Sequence, residues 1–121
     1  MIYIVDDDAS VRKAVMRLMK SAGLPVQAFA SAEAFLQDVE PTASDCLLLD
    51  IHMPGMSGIE LQAHLQKTGT VVPVIYVTAF DDARAREQAS RAGAAGYFRK
   101  PFDDQALLDA VYFATAHASG S

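Results

Sequence analysis

The acids Asp6-Asp7-Asp8 and Asp50, the hydroxyl of Thr78 and the ammonium of Lys100 are the side chains here whose types combine into a chemistry. Asp50 directly follows Leu47-Leu48-Leu49, so a carboxylate stands at the end of a segment that reads as buried on both faces. An ionised carboxylate loses solvation there and needs compensation. Acids packed together repel and raise one another's pKa unless a cation intervenes. A hard divalent ion is the natural remedy, and Mg²⁺ (or Mn²⁺) suits few carboxylates, carbonyls and retained waters. Such a set handles phosphoryl groups. Asp50 is then a nucleophile that forms an acyl phosphate. The metal and Lys100 offset charge on the phosphoryl oxygens, and Thr78 donates a hydrogen bond to the attached group. Taken singly, each residue has a commoner reading. Asp50 begins a turn, Asp6 or Asp7 is a solvated turn acid, Asp8 is a helix cap, Thr78 is a strand end and Lys100 a surface lysine. Only all of them together make the combination improbable by chance.

Their meeting depends on the elements that carry them. Met1-Ile2-Tyr3-Ile4-Val5 reads as a strand that stops at the acids. Val11, Val15, Leu18, Met19 and Ala22 then mark one helix face, capped by Asp8 and ended by Gly23. Residues 25–29 read as a second strand, and Ser31 caps a helix carrying Phe35, Leu36 and Val39, closed by Pro41. The strand at 46–49 ends on Asp50. Ser57-Gly58-Ile59-Glu60 fits a capping box for a third helix through Leu61 and Leu65, stopped near Gly69. Residues 71–77 predict a fourth strand ending at Thr78. Residues 82–92 predict a helix with an alanine inner face, the least firmly held of the set. Tyr97-Phe98-Arg99 is a short fifth strand before Lys100-Pro101, and Asp103 caps a last helix with Leu107, Leu108 and Val111 inward.

Five strand–helix units in alternation predict a doubly wound α/β fold with a parallel sheet. Its ligand site belongs at the carboxyl ends of the strands, where Asp6–Asp8, Asp50, Thr78 and Lys100 all stand. At 121 residues the chain is one domain. Hydrophobic residues make up 51% and charged residues 21%, the profile of a soluble globular protein. No apolar run approaches the roughly 20 residues of a membrane span, and no signal segment opens the chain, so a cytoplasmic setting without membrane contact is expected. Cys46 is a lone core thiol, consistent with a reducing compartment. A net charge of −5 argues against general nucleic-acid binding. Met16, Met19, Met53 and Met56 read as packing residues and His64 and His117 as surface histidines. Arg84, Arg86, Arg91 and Arg99 form either a docking patch or a solvated face.

These residues carry a resemblance. Val5-Asp6-Asp7, Asp50 with Met53-Pro54-Gly55-Met56-Ser57-Gly58, Thr78-Ala79, Ala92-Gly93-Ala94 and Lys100-Pro101-Phe102 resemble the receiver domain of bacterial two-component response regulators, the CheY-like superfamily of flavodoxin-like fold. The resemblance implies a five-stranded sheet of order 2-1-3-4-5 and a receiver over residues 1–117, with 118–121 beginning a linker or ending the chain. It implies that Asp50 is the phospho-acceptor, taking its phosphoryl group from a histidine on a sensor kinase. Asp7 and Asp50 ligate the metal, Asp6 acts through metal-bound water, and His52 contributes its backbone carbonyl. Thr78 and Lys100 contact the phosphoryl oxygens, and Tyr97 is the aromatic that turns inward when Thr78 moves. The Lys100-Pro101 bond is usually cis in this family. A phosphorylation-linked homodimer is a further implication.

Val11-Arg12-Lys13, residues 31–36 and residues 54–61 look like the FixJ/NarL-type regulators, which carry a C-terminal DNA-binding domain. On that likeness, DNA is reached only through a domain absent here, and the alternative is a stand-alone receiver acting by docking. His52, the turn Ala79-Phe80-Asp81-Asp82 and the alanine-rich fourth helix depart from the subfamily pattern. A Mg²⁺-dependent phosphohydrolase is the competing enzyme reading. It would need a general acid beside the nucleophile, where His52 stands, and a cap domain for which there is no room. An interaction module without the switch is the third reading, and the complete acid, threonine and lysine set argues against it.

Overall fold

The computed structural model describes residues 1–79 and 82–120, with side chains as far as 116. Phe80 and Asp81 of the atypical turn, the side chain of His117 and, of the expected linker start, Ser121 and the side chains of 118–120 therefore lie outside the described residues.

The elements alternate: β1 (Ile2–Val5), α1 (Ala9–Ser21), β2 (Val26–Phe29), α2 (Ala32–Asp38), β3 (Cys46–Leu49), α3 (Gly58–Lys67), β4 (Val74–Thr78), α4 (Ala83–Arg91), β5 (Gly96–Arg99) and α5 (Asp104–Gly120). The strands form one sheet in the order β2-β1-β3-β4-β5, parallel throughout. The flavodoxin-like expectation is met.

Side-chain alternation along the buried strands divides the core into two layers. Leu47 and Leu49 face one side with Val5, Phe35, Leu61, Leu65 and Tyr76, beneath α2, α3 and α4. Cys46 and Leu48 face the other with Ile4, Val15, Met19, Leu107 and Val111, beneath α1 and α5. This accounts for a leucine run with no polar interruption: both faces of β3 are covered. Each such side chain contributes about 1.5–3 kcal/mol by leaving water. Cys46 is packing material, and burial pushes its thiol up to about 12.

The caps follow local chemistry. Asp8 accepts from the Ser10 backbone, Ser31 from Ala34, and Ser57 with Glu60 completes the capping box. Gly23, Gly69 and Gly93 follow the ends of α1, α3 and α4 with positive φ, the conformation glycine adopts without a Cβ penalty.

Several boundaries differ from the sequence reading. β4 begins at Val74 rather than residue 71. Val71 is 76% exposed, and Pro73 meets the sheet only by accepting from the Leu47 N–H at 3.0 Å. The helix α2 stops at Asp38, and Val39 is an extended C-cap that still buries its side chain. Strands β1 and β2 each start one residue late, at Ile2 and Val26. Among the described residues no helix is long and apolar enough to cross a membrane.

Candidate functional site

Register brings the chemistry together. Val5 lies opposite Leu49, and Leu49 opposite Tyr76, so Asp6 and Asp50, each one residue further on, and Thr78, two residues past Tyr76 at the end of β4, emerge at one edge. Asp6 and Thr78 are fully buried and Asp50 is 6% exposed, whereas Asp7 is exposed. Carboxylate oxygens of Asp6, Asp7 and Asp50 all lie within 4.8 Å of one another, close enough to share a metal ion.

Lys100 reaches this group from the far end of β5. Its Nζ lies 2.8 Å from Asp6 Oδ2 and 3.5 Å from Asp50 Oδ2. The Lys100-Pro101 peptide is cis, and the Lys100 N–H donates to the Thr78 carbonyl at 2.8 Å, tying β5 to the end of β4. The resemblance assigns this lysine to the phosphoryl oxygens; in this arrangement it joins two of the acids.

The electrostatics follow from this crowding. Asp50 is held above the usual carboxylate range, first by burial and then by the charge of Asp6, against the pull of Lys100. Burial drives Lys100 downward, but the Asp6 hydrogen bond and both carboxylates outweigh it, so its pKa is raised. Asp50 is thus a carboxylate short of counter-charge, the condition that a divalent cation relieves. Three convergent carboxylates, one of them solvent-facing, form a hard oxygen donor set that fits Mg²⁺ or Mn²⁺.

The remaining expected residues are placed as follows. His52 is exposed, and its backbone N–H approaches Asp50 Oδ1 at 3.4 Å. Asp8 turns away into its cap, accepting from Ser10 N–H and Oγ. Tyr97 lies on β5, half-buried, opposite Tyr76, and packs against the layer beneath α4. The Arg86 guanidinium stands 5.7 Å from its ring centroid. These two residues with Ala89, Ala94 and Arg99 line a groove of about 430 Å³ between α4 and β5. A second hollow of about 500 Å³ borders Lys100, lined by Val11, Ala14, Ala79, Pro101 and Phe102. Of the other arginines, Arg91 pairs with Glu87 at 2.6 Å on the exposed face of α4.

Several supports of the site were not read from sequence. Arg12 Nη1 donates to the Asp6 carbonyl at 2.8 Å, and the Asp8 N–H donates to Asp6 Oδ1 at 2.9 Å. Glu33 on α2 accepts from the Met56 N–H at 3.3 Å, bracing the loop after Asp50. Gly58 admits no side chain, because a Cβ would sit 2.2 Å from the Asp50 carbonyl oxygen. The Pro-Gly-Met-Ser-Gly run was the available signal for that close approach.

The model of the response regulator receiver domain matches residues 2–112. The response regulator protein TodT of Pseudomonas putida is 43% identical over 110 residues, covering 91% of this chain and 48% of that protein. The transcriptional regulatory protein FixJ of Azorhizobium caulinodans is 39% identical over 110 residues, covering 91% of this chain and 52% of its own length. The chain thus spans about half the length of the curated relatives it matches. A solved structure of the response regulator StyR superposes with a TM-score of 0.90 at 42% identity, covering 98% of this chain and 60% of that one.

Proposed function

This chain belongs to the response regulator receiver family of two-component signalling, and from that premise we propose that it is a switch phosphorylated on Asp50. The observation that carries the reading is the meeting of Asp6, Asp7 and Asp50 within 4.8 Å, with the Lys100 ammonium against two of them.

A carboxylate oxygen of Asp50 attacks the phosphorus of a phosphohistidine on a sensor kinase. A P–O bond forms, the P–N bond breaks, and the imidazole nitrogen keeps the electron pair. Burial of Asp50 beside Asp6 removes the water that would otherwise solvate the nucleophile. Mg²⁺ or Mn²⁺, held by Asp7, Asp50 and the His52 carbonyl with Asp6 acting through water, would offset charge on the phosphoryl oxygens. Lys100 exchanges its hold on Asp50 for a phosphoryl oxygen while keeping Asp6, and Thr78 donates its hydroxyl to the new group. The apolar hollow beside Lys100 suits the kinase element that presents the histidine.

Once Thr78 is drawn to the phosphoryl group, Tyr97 turns inward, and the surface formed by α4, β5 and α5 changes population. That surface then favours a homodimer or a docking partner. Residues 1–117 are assigned as the receiver, a regulatory unit rather than a turnover enzyme. Its output is transcriptional, through a DNA-binding domain beyond these residues, in line with FixJ being a transcriptional regulatory protein.

The test is labelling by acetyl phosphate with Mg²⁺. Wild type should take up one phosphoryl group and Asp50→Asn none; equal labelling of the two would end the assignment.

A further inference from the structure

Two buried polar side chains take no part in the acidic site. Tyr76 in β4 is fully buried, and Gln62 on α3 is 4% exposed. The Tyr76 hydroxyl donates to Gln62 Oε1 and lies 3.3 Å from the Gly58 carbonyl oxygen. Gln62 Nε2 in turn donates to the carbonyl of Ala92 at 3.0 Å, and Gln66 Nε2 donates to the same oxygen at 2.8 Å. Ala92 is the C-cap of α4.

Carbonyls at the end of a helix lack intrahelical partners, and here one receives two amide donors from a neighbouring helix. Burying a phenol and a carboxamide costs stability unless both are hydrogen-bonded, whereas apolar residues would fill the same layer without that demand. What the polar pair supplies is direction. α4 buries only Ala85 and Ala89, so its apolar hold on the body is slight and a directional anchor forms a large part of what locates it. Toward its N-terminal end, Arg86 meets the Tyr97 ring through a softer cation–π contact. The anchor is also rooted near the nucleophile, since Gly58 donates its N–H to the Ile51 carbonyl and presses on the Asp50 backbone.

We propose that Gln62, oriented by Tyr76 and seconded by Gln66, pins the C-terminal end of α4 at Ala92, so that activation swings the helix about that point by its N-terminal end. These are positioning residues, and they touch no reacting atom. The swing rests on the phosphorylation reading above; the pin does not.

Hydrogen exchange followed by mass spectrometry tests both parts, on wild type, Gln66→Ala and the double variant Gln62→Met/Gln66→Ala. In the unactivated proteins, amides of residues 88–94 should exchange about tenfold faster in the double variant, with β1 and β3 unchanged. Equal rates at 88–94, or the same acceleration in every element, overturn the pin. With Mg²⁺ and beryllofluoride, wild type should change at 82–87 and hold at 88–94, while the double variant changes across both. A wild-type response centred on 88–94 overturns the pivot. Should the double variant fail to fold, Gln66→Ala at an exposed position serves, with an increase of about threefold expected and an unchanged rate overturning the pin. A lack of response to beryllofluoride in every protein, with the first arm as expected, supports the pin and counts against phosphorylation alone.

Discussion

Asp50 and Lys100 both lose a stabilising contribution as pH rises, but in widely separated pH ranges. Asp50 has a raised pKa in the folded chain, so the native state keeps its proton longer than the unfolded state does. Stability contributed by its neutral form is present at low pH and is lost as pH rises from the ordinary carboxylate value of 3.8 through the raised one. Asp50→Asn should therefore be more stable than wild type at pH 7 and show a flatter acid limb, read from urea midpoints across pH. Lys100 is also raised, so its contribution is complete below its ordinary 10.5 and fades only in more alkaline solution. Removing it leaves Asp6 and Asp50 without their shared cation. Lys100→Gln should lower the melting temperature without metal yet gain more from added Mg²⁺ than wild type does; an equal gain would mean that the lysine does not compete with the ion. The acids, Thr78 and Lys100 were legible because each sits where an apolar run stops. Gln62 and Tyr76 were not: they look like ordinary members of amphipathic and apolar segments, and Gln62's partner carbonyl lies 30 residues away.

At the level of elements, the third helix separates two kinds of sensitivity. Ser57 and Glu60 close a capping box, and Ser57→Ala should cost about 1 kcal/mol by urea unfolding while phosphoryl uptake persists. The neighbouring Gly58→Ala meets backbone, since its Cβ would fall 2.2 Å from the Asp50 carbonyl. That change should cost about 2 kcal/mol or more and slow labelling as well, because relief requires moving Asp50 itself. Caps and glycine stops were readable because their chemistry is local. The start of β4 was not: Val71 and Val72 are as apolar as the strand they precede, and only pairing with β3, which begins at the Leu47–Val74 register, marks where the sheet starts. Val39 misled similarly, since burial without helical backbone leaves the same mark in a hydrophobic pattern.

Across the whole molecule, the two-layer core separates a rigid sheet from an adjustable flank. Strands β1, β3 and β4 carry nearly continuous buried residues, while α4 rests on two alanines and a polar anchor. A surface that must repack on activation is best built from the weakly held side. Arg86 and Arg99 border the α4–β5 groove of a chain whose net charge is −5, giving that flank a local sign opposite to the whole. Sedimentation with Mg²⁺ and beryllofluoride should raise the dimer fraction for wild type and leave Asp50→Asn unchanged; the same fraction in both would remove dimerisation from the switch.

The bond between Lys100 and Asp6 joins residues 94 positions apart. A ribosome delivers Asp6, Asp7 and Asp50 long before it delivers the lysine, and the sheet cannot finish its edge until β5 has emerged. A nascent chain shorter than 100 residues thus carries the nucleophile without its counter-ion, and the full set of charges assembles only once β5 has joined the sheet.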